Sequence, residues 1–118
     1  SNQSFEESRK QVFGFLFDLH EKSNSDISLN LYLSKNKEAF EECIAIFESV
    51  YRDVLLVLSG VTEGLINSDK RDKLLEYAKK YNPDTIIQKI YKIHEVRKSL
   101  KNYMNYQLAV DMVTMVIG

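Results

Sequence analysis

Along most of the chain apolar residues recur at intervals of three and four, the period of a helix buried on one side. Val12, Phe13 and Leu16, continued by Leu19 and His20, draw the first such face. The segment opens Ser4-Phe5-Glu6-Glu7, the spacing of a capping box in which the Ser4 hydroxyl holds a backbone N–H and Glu7 reaches back. The pattern predicts a helix over residues 5–21, then a polar turn at Lys22-Ser23-Asn24-Ser25. Ile27, Leu29, Leu31 and Leu33 next alternate with polar residues or Tyr32, which taken alone reads as a strand. Nothing else in the chain offers a second strand, and an isolated one leaves its backbone groups unsatisfied. A short helix is therefore the expectation there.

The strongest helical signal covers residues 37–59. Phe40, Ile44, Phe47, Tyr51, Val54 (or Leu55) and Leu58 form one stripe, and Cys43, Ile46, Val50 and Val57 form another. From Val54 to Leu58 every residue is apolar, which predicts that this end enters the core on all sides. Gly60 follows where a C-terminal cap needs a left-handed backbone. Beyond a loop through Thr62, Glu63 and Gly64, Asn67 or Ser68 is expected to cap a helix running to about Tyr81. Asn82-Pro83 then supplies a cap and a first-turn proline. Ile86, Ile90, Ile93, Val96 and Leu100 carry a regular stripe to about Asn102. A last segment, 105–117, confines Gln107, Asp111 and Thr114 to one narrow polar edge. Five long helices and one short one, joined by brief loops, predict an all-α fold: a single compact bundle of about five to six helices.

Composition narrows the function. Four Gly and one Pro give the chain little punctuation, which suits long helices. A hydrophobic share of 44% against 28% charged residues marks a folded domain rather than a disordered one. Sixteen basic and seventeen acidic side chains leave a charge of -1, whereas a domain that grips duplex DNA by itself is usually clearly basic. The lone Cys43 has no disulfide partner, which points to the reducing cytoplasm. No run approaches the roughly 20 apolar residues of a membrane helix, and no signal-peptide pattern opens the chain. Ser1-Asn2 without an initiator methionine reads as an expression scar, so residues 1–3 are expected to be that scar and a disordered start, with the folded domain over 4–118.

No catalytic constellation assembles. The chain has neither a G-x-x-x-x-G-K-[ST] loop nor a dinucleotide glycine fingerprint, so no cofactor is expected. His20 and His94 read as helix-packing residues, and no H-x-x-x-H or C-x-x-C spacing suggests a metal. Cys43 lies on an apolar face, where thiols are inert core. The pairs Glu6-Glu7 and Glu41-Glu42 read as solvated faces. Lys70, Arg71, Lys73, Lys79 and Lys80 form a basic cluster offset by Asp69, Asp72 and Glu76. It reads as a salt-bridged surface, with a helical nucleic-acid-binding module using residues 70–80 as the alternative function. Tyr77, Tyr81, Tyr91, Tyr103 and Tyr106 gather in the second half, where amphipathic rings suit an interface.

Three stretches are more specific. Val50-Tyr51-Arg52-Asp53-Val54-Leu55-Leu56 joins an aromatic-Arg-Asp unit to an aliphatic run. Tyr103-Met104-Asn105-Tyr106-Gln107-Leu108-Ala109-Val110-Asp111 resembles the N-x-N-x-x-L-x-L-E pattern that closes the C-terminal domain of bacterial clamp-loader subunits. Asn105 and Leu108 match it; Tyr103 stands at its first Asn, Val110 at its second Leu and Asp111 at its Glu. The loop Val61-Thr62-Glu63-Gly64-Leu65-Ile66-Asn67 is similar to the delta-prime subunit of DNA polymerase III in Gram-positive bacteria.

The resemblance spans about Phe5 to Ile117 and implies a collar domain, the oligomerisation module that follows an AAA+ module. Five such domains form a ring in the loader that places the sliding clamp on primed DNA. It implies no catalysis by this fragment, and partners among the gamma/tau and delta collar domains. DNA is met only through the whole complex, and no membrane or small-molecule substrate is involved. A collar domain must present apolar helix faces to its neighbours. The last helix, apolar over most of its circumference, supplies Tyr106, Val110, Met112, Val113 and Ile117 as candidates for subunit contact. Arg52 and Asp53 are expected to pair with charges inside the domain and orient neighbouring helices. Asn102 and Asn105 are expected to cap backbone groups at a helix break.

Overall fold

The chain folds around α3 (Phe40–Leu58), entered through a 3-10 turn at Lys37–Ala39. Both stripes read from its sequence turn inward over its first four turns, where Cys43, Ile44, Phe47, Val50, Tyr51 and Val54 are all buried. Such a helix needs cover on most sides, and α1 (Asn2–Phe17), α4 (Arg71–Ala78) and α5 (Pro83–Lys101) provide it. The helix stops at Gly60 (φ +94), whose N–H bonds Val57 O at 3.0 Å while Val61 N–H reaches back to Leu56 O at 2.8 Å. This pair of bonds is the Schellman motif that the glycine makes possible.

The structure, a computed structural model, describes residues 2–18 and 22–117. Leu19, His20 and Glu21, placed by the sequence at the end of the first helix, lie outside them. Among the described residues there are six α-helices and no strand, the all-α bundle that the periodicity predicts. In space α1, α2 (Lys22–Lys35), α6 (Tyr106–Val116), α5 and α3 each pack on the next, and α3 closes the circuit back onto α1. α4 leans on the outside of α3.

Several local expectations are corrected. α1 begins before Ser4, so Ser4 is no cap; its hydroxyl donates to Glu42 Oε1 on α3 at 3.3 Å. The predicted turn at residues 22–25 is helical, and α2 is 14 residues long rather than short. Its strand-like alternation resolves into two helical pairs four residues apart. Leu29 and Leu33 are buried, while Ile27 and Leu31 face solvent. The short helix is instead α4, with 8 residues, preceded by a 3-10 turn at Ser68–Lys70. Because so short a helix covers only one side of α3, Leu55, Leu56, Val57 and Leu58 are half-buried rather than enclosed.

At α5 the prediction holds. Asn82 Oδ1 accepts from Thr85 N–H at 2.9 Å with Pro83 in the first turn, and Ile86, Ile93 and Val96 are buried. Lys89 shares that inner face. Its ammonium donates to Ile117 O at 2.9 Å, and the Tyr51 hydroxyl donates to the same oxygen at 3.0 Å. Two donors on one carbonyl fix the end of α6 against α3 and α5.

Candidate assembly surface

The Arg-Asp pair of α3 organises a loop. Asp53 is 0% exposed, and its carboxylate accepts from Ile66 N–H at 2.9 Å, Asn67 N–H at 2.8 Å and Asn67 Nδ2 at 2.9 Å. Three N–H donors satisfy the buried charge with little help from a counter-ion. Arg52 stays largely exposed, 3.8 Å from the carboxylate. Asp53 alone therefore holds loop 61–67, by hydrogen bonds, where the sequence predicts that the pair orients helices through charge. Asn67 makes no side-chain cap: its Oδ1 accepts from Arg9 instead of a helix N–H, and its Nδ2 donates to Asp53 and to Ser49 Oγ at 3.2 Å.

The loop is tied on its other side as well. Arg71 Nε donates to Thr62 O at 3.1 Å. From α1, Arg9 reaches Asn67 Oδ1 at 3.2 Å and grips both carboxylate oxygens of Asp69 at 2.6 and 2.8 Å. The hydrogen bond from Arg9 holds the Asp69 carboxyl below its usual pKa. On this braced loop Ile66 is 55% exposed, beside Phe5 of α1.

At the α5–α6 junction the two asparagines play different parts. Asn105 caps α6, its Oδ1 accepting from Leu108 N–H at 3.1 Å. Asn102 contributes its backbone N–H, bonded to Ser99 O at 3.0 Å. Between them Tyr103 takes φ +79 with its ring in solvent, and Met104 N–H closes onto Ser99 O at 2.9 Å.

α6 divides the five contact candidates. Val110, Val113 and Ile117 are buried at 0% exposure and belong to the domain's own core. Tyr106 is half-buried, its ring edge-on to Phe40 and its hydroxyl donating to Leu33 O at 2.7 Å. Met112 keeps part of its surface free. The polar edge of the helix faces α2, where Asn30 Nδ2 donates to Asp111 Oδ1 at 3.0 Å and Thr114 Oγ1 at 3.2 Å.

Outward from this core, three adjacent helices each show large apolar side chains: Ile27 and Leu31 on α2, Leu108 and Met115 on α6, Ile87 and Tyr91 on α5. Met115 is 74% exposed and Tyr91 67%. Between α5 and α6 lies a groove of about 360 Å³ with Tyr91, Val96, Met112 and Val116 in its lining. Leu108 and Met115 were missed because the sequence shows that α6 is apolar nearly all round, not which side faces out.

The remaining candidate chemistry does not converge. Burial pushes the Cys43 thiol up to about 11, so it stays protonated and unreactive at neutral pH. His94 is exposed on α5 instead of packed. Among the described residues no His, Cys, Asp and Glu group is placed to hold a metal. The basic cluster divides: Lys79 pairs with Glu76 at 2.9 Å and Arg71 serves the loop, while Lys70, 5.7 Å from the centre of the Phe13 ring, and Lys73 line one hollow with Arg9, Lys10, Glu6 and Asp18. Glu42 is no solvated residue, for it accepts from the buried Ser8 hydroxyl at 2.7 Å and ties α1 to α3. Arg97, also missed, bridges Glu41 at 3.1 Å and Glu48 at 3.2 Å from α5 to α3.

No helix among the described residues is long and apolar enough to cross a membrane. Comparison with curated proteins and with solved structures finds no match. A family model does match: residues 3–114 fit the DNA polymerase III delta subunit, C-terminal, and the chain belongs to that family.

Proposed function

We propose that this domain is the C-terminal collar of a clamp-loader subunit in the delta-prime seat. It joins the gamma/tau and delta collar domains into one ring during DNA replication in the cytoplasm. The observation that carries this reading is the set of large apolar side chains exposed on adjacent helices, Leu108 and Met115 on α6 beside Tyr91 on α5, with Met115 74% and Tyr91 67% exposed. Family membership supplies the clamp-loader context, and the similarity of loop 61–67 favours delta-prime over its neighbours. The domain acts by association and catalyses nothing itself; residues 4–118 are its oligomerisation unit.

Its contact surface shifts outward from the candidates read in sequence. Met112 remains a contact residue, joined by Leu108, Met115 and Tyr91, with Tyr106 at the margin. Val110, Val113 and Ile117 support that surface from beneath. The test is size-exclusion chromatography with light scattering on mixtures with the gamma/tau and delta collar domains. A hetero-complex is expected, weakened at least tenfold by Met115→Glu or Leu108→Glu with the helical circular-dichroism signal unchanged. A domain that stays monomeric in every mixture overturns the proposal.

A further inference from the structure

At one end of the bundle the turn from α5 into α6 meets the end of α2, where the Tyr106 hydroxyl donates to Leu33 O at 2.7 Å. Lys98 and Lys101 stand exposed in the last turn of α5, and Lys35 closes α2. Lys37, in the 3-10 turn that follows, holds its ammonium 5.2 Å from the centre of the Tyr106 ring. Among the described residues none of these four lysines is in an ion pair. Against them stands Glu38, while Glu41 is already taken up by Arg97 at 3.1 Å. Out of this end projects Tyr103, its ring fully exposed and its backbone at φ +79, which side chains other than glycine's rarely adopt. The turn is not slack, because the Asn102 and Met104 N–H groups both close onto Ser99 O, at 3.0 and 2.9 Å. The dipole of α5 accounts for lysines in its last turn. No contact among the described residues accounts for a strained tyrosine held in water.

We infer that Tyr103 is a stacking site for an unpaired nucleotide base, with Lys37, Lys98 and Lys101 receiving the flanking phosphates of a single strand. A base asks for one open aromatic face and no pocket, which a ring standing free on a fixed turn supplies. The charge around the ring is cationic, which suits phosphates. A duplex fits less well: its bases are already stacked on one another, and a chain of net charge -1 has no broad cationic face to lay along it. Stacking of this kind tolerates any sequence, because every base has a π-face. The site is separate from the assembly face, to which neither Tyr103 nor these lysines contribute.

Fluorescence anisotropy of a labelled oligothymidylate of about 12 nucleotides, titrated with the full chain in low salt, tests this. Tyr103→Asn is expected to weaken binding about tenfold without lowering the thermal unfolding midpoint, and Tyr103→Phe to bind as the wild type does. Lys37→Gln and Lys101→Gln should each reduce the slope of log affinity against log salt by roughly 0.7, while Lys79→Gln on α4 leaves it unchanged. Equal affinities for the wild type and Tyr103→Asn overturn the inference, as does a wild type that binds no oligonucleotide in low salt. Poly-glutamate offers the charge without the bases. If it binds as tightly, with the same loss at Tyr103→Asn, the site belongs to an acidic protein segment and the inference falls. The assembly reading stands or falls separately, on Met115→Glu in light scattering.

Discussion

Tyr103 sits in the left-handed region with its ring fully in solvent, so no packing offsets the strain of its backbone. A β-carbon in that conformation costs about 1–2 kcal/mol, and asparagine is among the few residues that adopt it readily. Position 103 is where the clamp-loader pattern has its first Asn, while the second, Asn105, caps the next helix. The N-x-N unit therefore reads physically as a left-handed helix stop followed by a helix start. Tyr103→Asn is expected to raise the thermal unfolding midpoint by about 2–5 °C. Asp53 is the opposite case, a single residue that cannot be spared. Asp53→Ala strands the Ile66 and Asn67 N–H groups and is expected to cost about 3 kcal/mol in urea unfolding. Amide exchange at those two positions should accelerate more than elsewhere.

Between elements, polar clamps sit where the apolar faces end. α1 is pinned to α3 through Ser8 and Glu42, and to the segment before α4 through Arg9 and Asp69. The last pair is sensitive to pH. Asp69 has a lower pKa folded than unfolded, so its contribution is complete above the unfolded value of about 4 and is lost as pH falls through the folded value. In that acid window the unfolded chain binds more protons, and stability falls with falling pH. Since Asp69 is 57% exposed, the contribution is below about 1 kcal/mol and shrinks with salt. Asp69→Asn should flatten this part of the stability curve below pH 4, measured by denaturant titration at several pH values. Ser8 and Lys89 went unread, though as polar residues four before Val12 and three after Ile86 on apolar faces they were legible as anomalies. Their partners on other helices were not.

For the whole molecule, the closed circuit of helices separates residues that the sequence cannot tell apart. Val113 and Met115 are neighbours on one apolar helix, yet one is fully buried and the other is 74% exposed. Val113→Asp would place an unpaired charge among Val110, Ile117 and the inner face of α5, a cost larger than a domain of this size withstands. Circular dichroism is expected to show it unfolded at 25 °C. Met115→Glu keeps its charge in water and should unfold within about 2 °C of wild type. The contrast also decides which variants are fit to probe assembly.

Local periodicity and turn chemistry fixed most of the architecture. The stripes of α3 and α5, Gly60 at a helix stop, and the caps at Asn82 and Asn105 each act within a few residues of chain, and each is found where the sequence puts it. The alternation at residues 27–33 was ambiguous because two exposed residues interleave with two buried ones, and only packing against α1 and α6 makes it a helix. The half-exposed end of α3 and the outward side of α6 depend on which helices lie alongside. Neighbours of that kind are set by contacts tens of residues apart. The partner of Asp53 is nearer, a loop thirteen residues on, but its N–H groups carry no mark in the sequence.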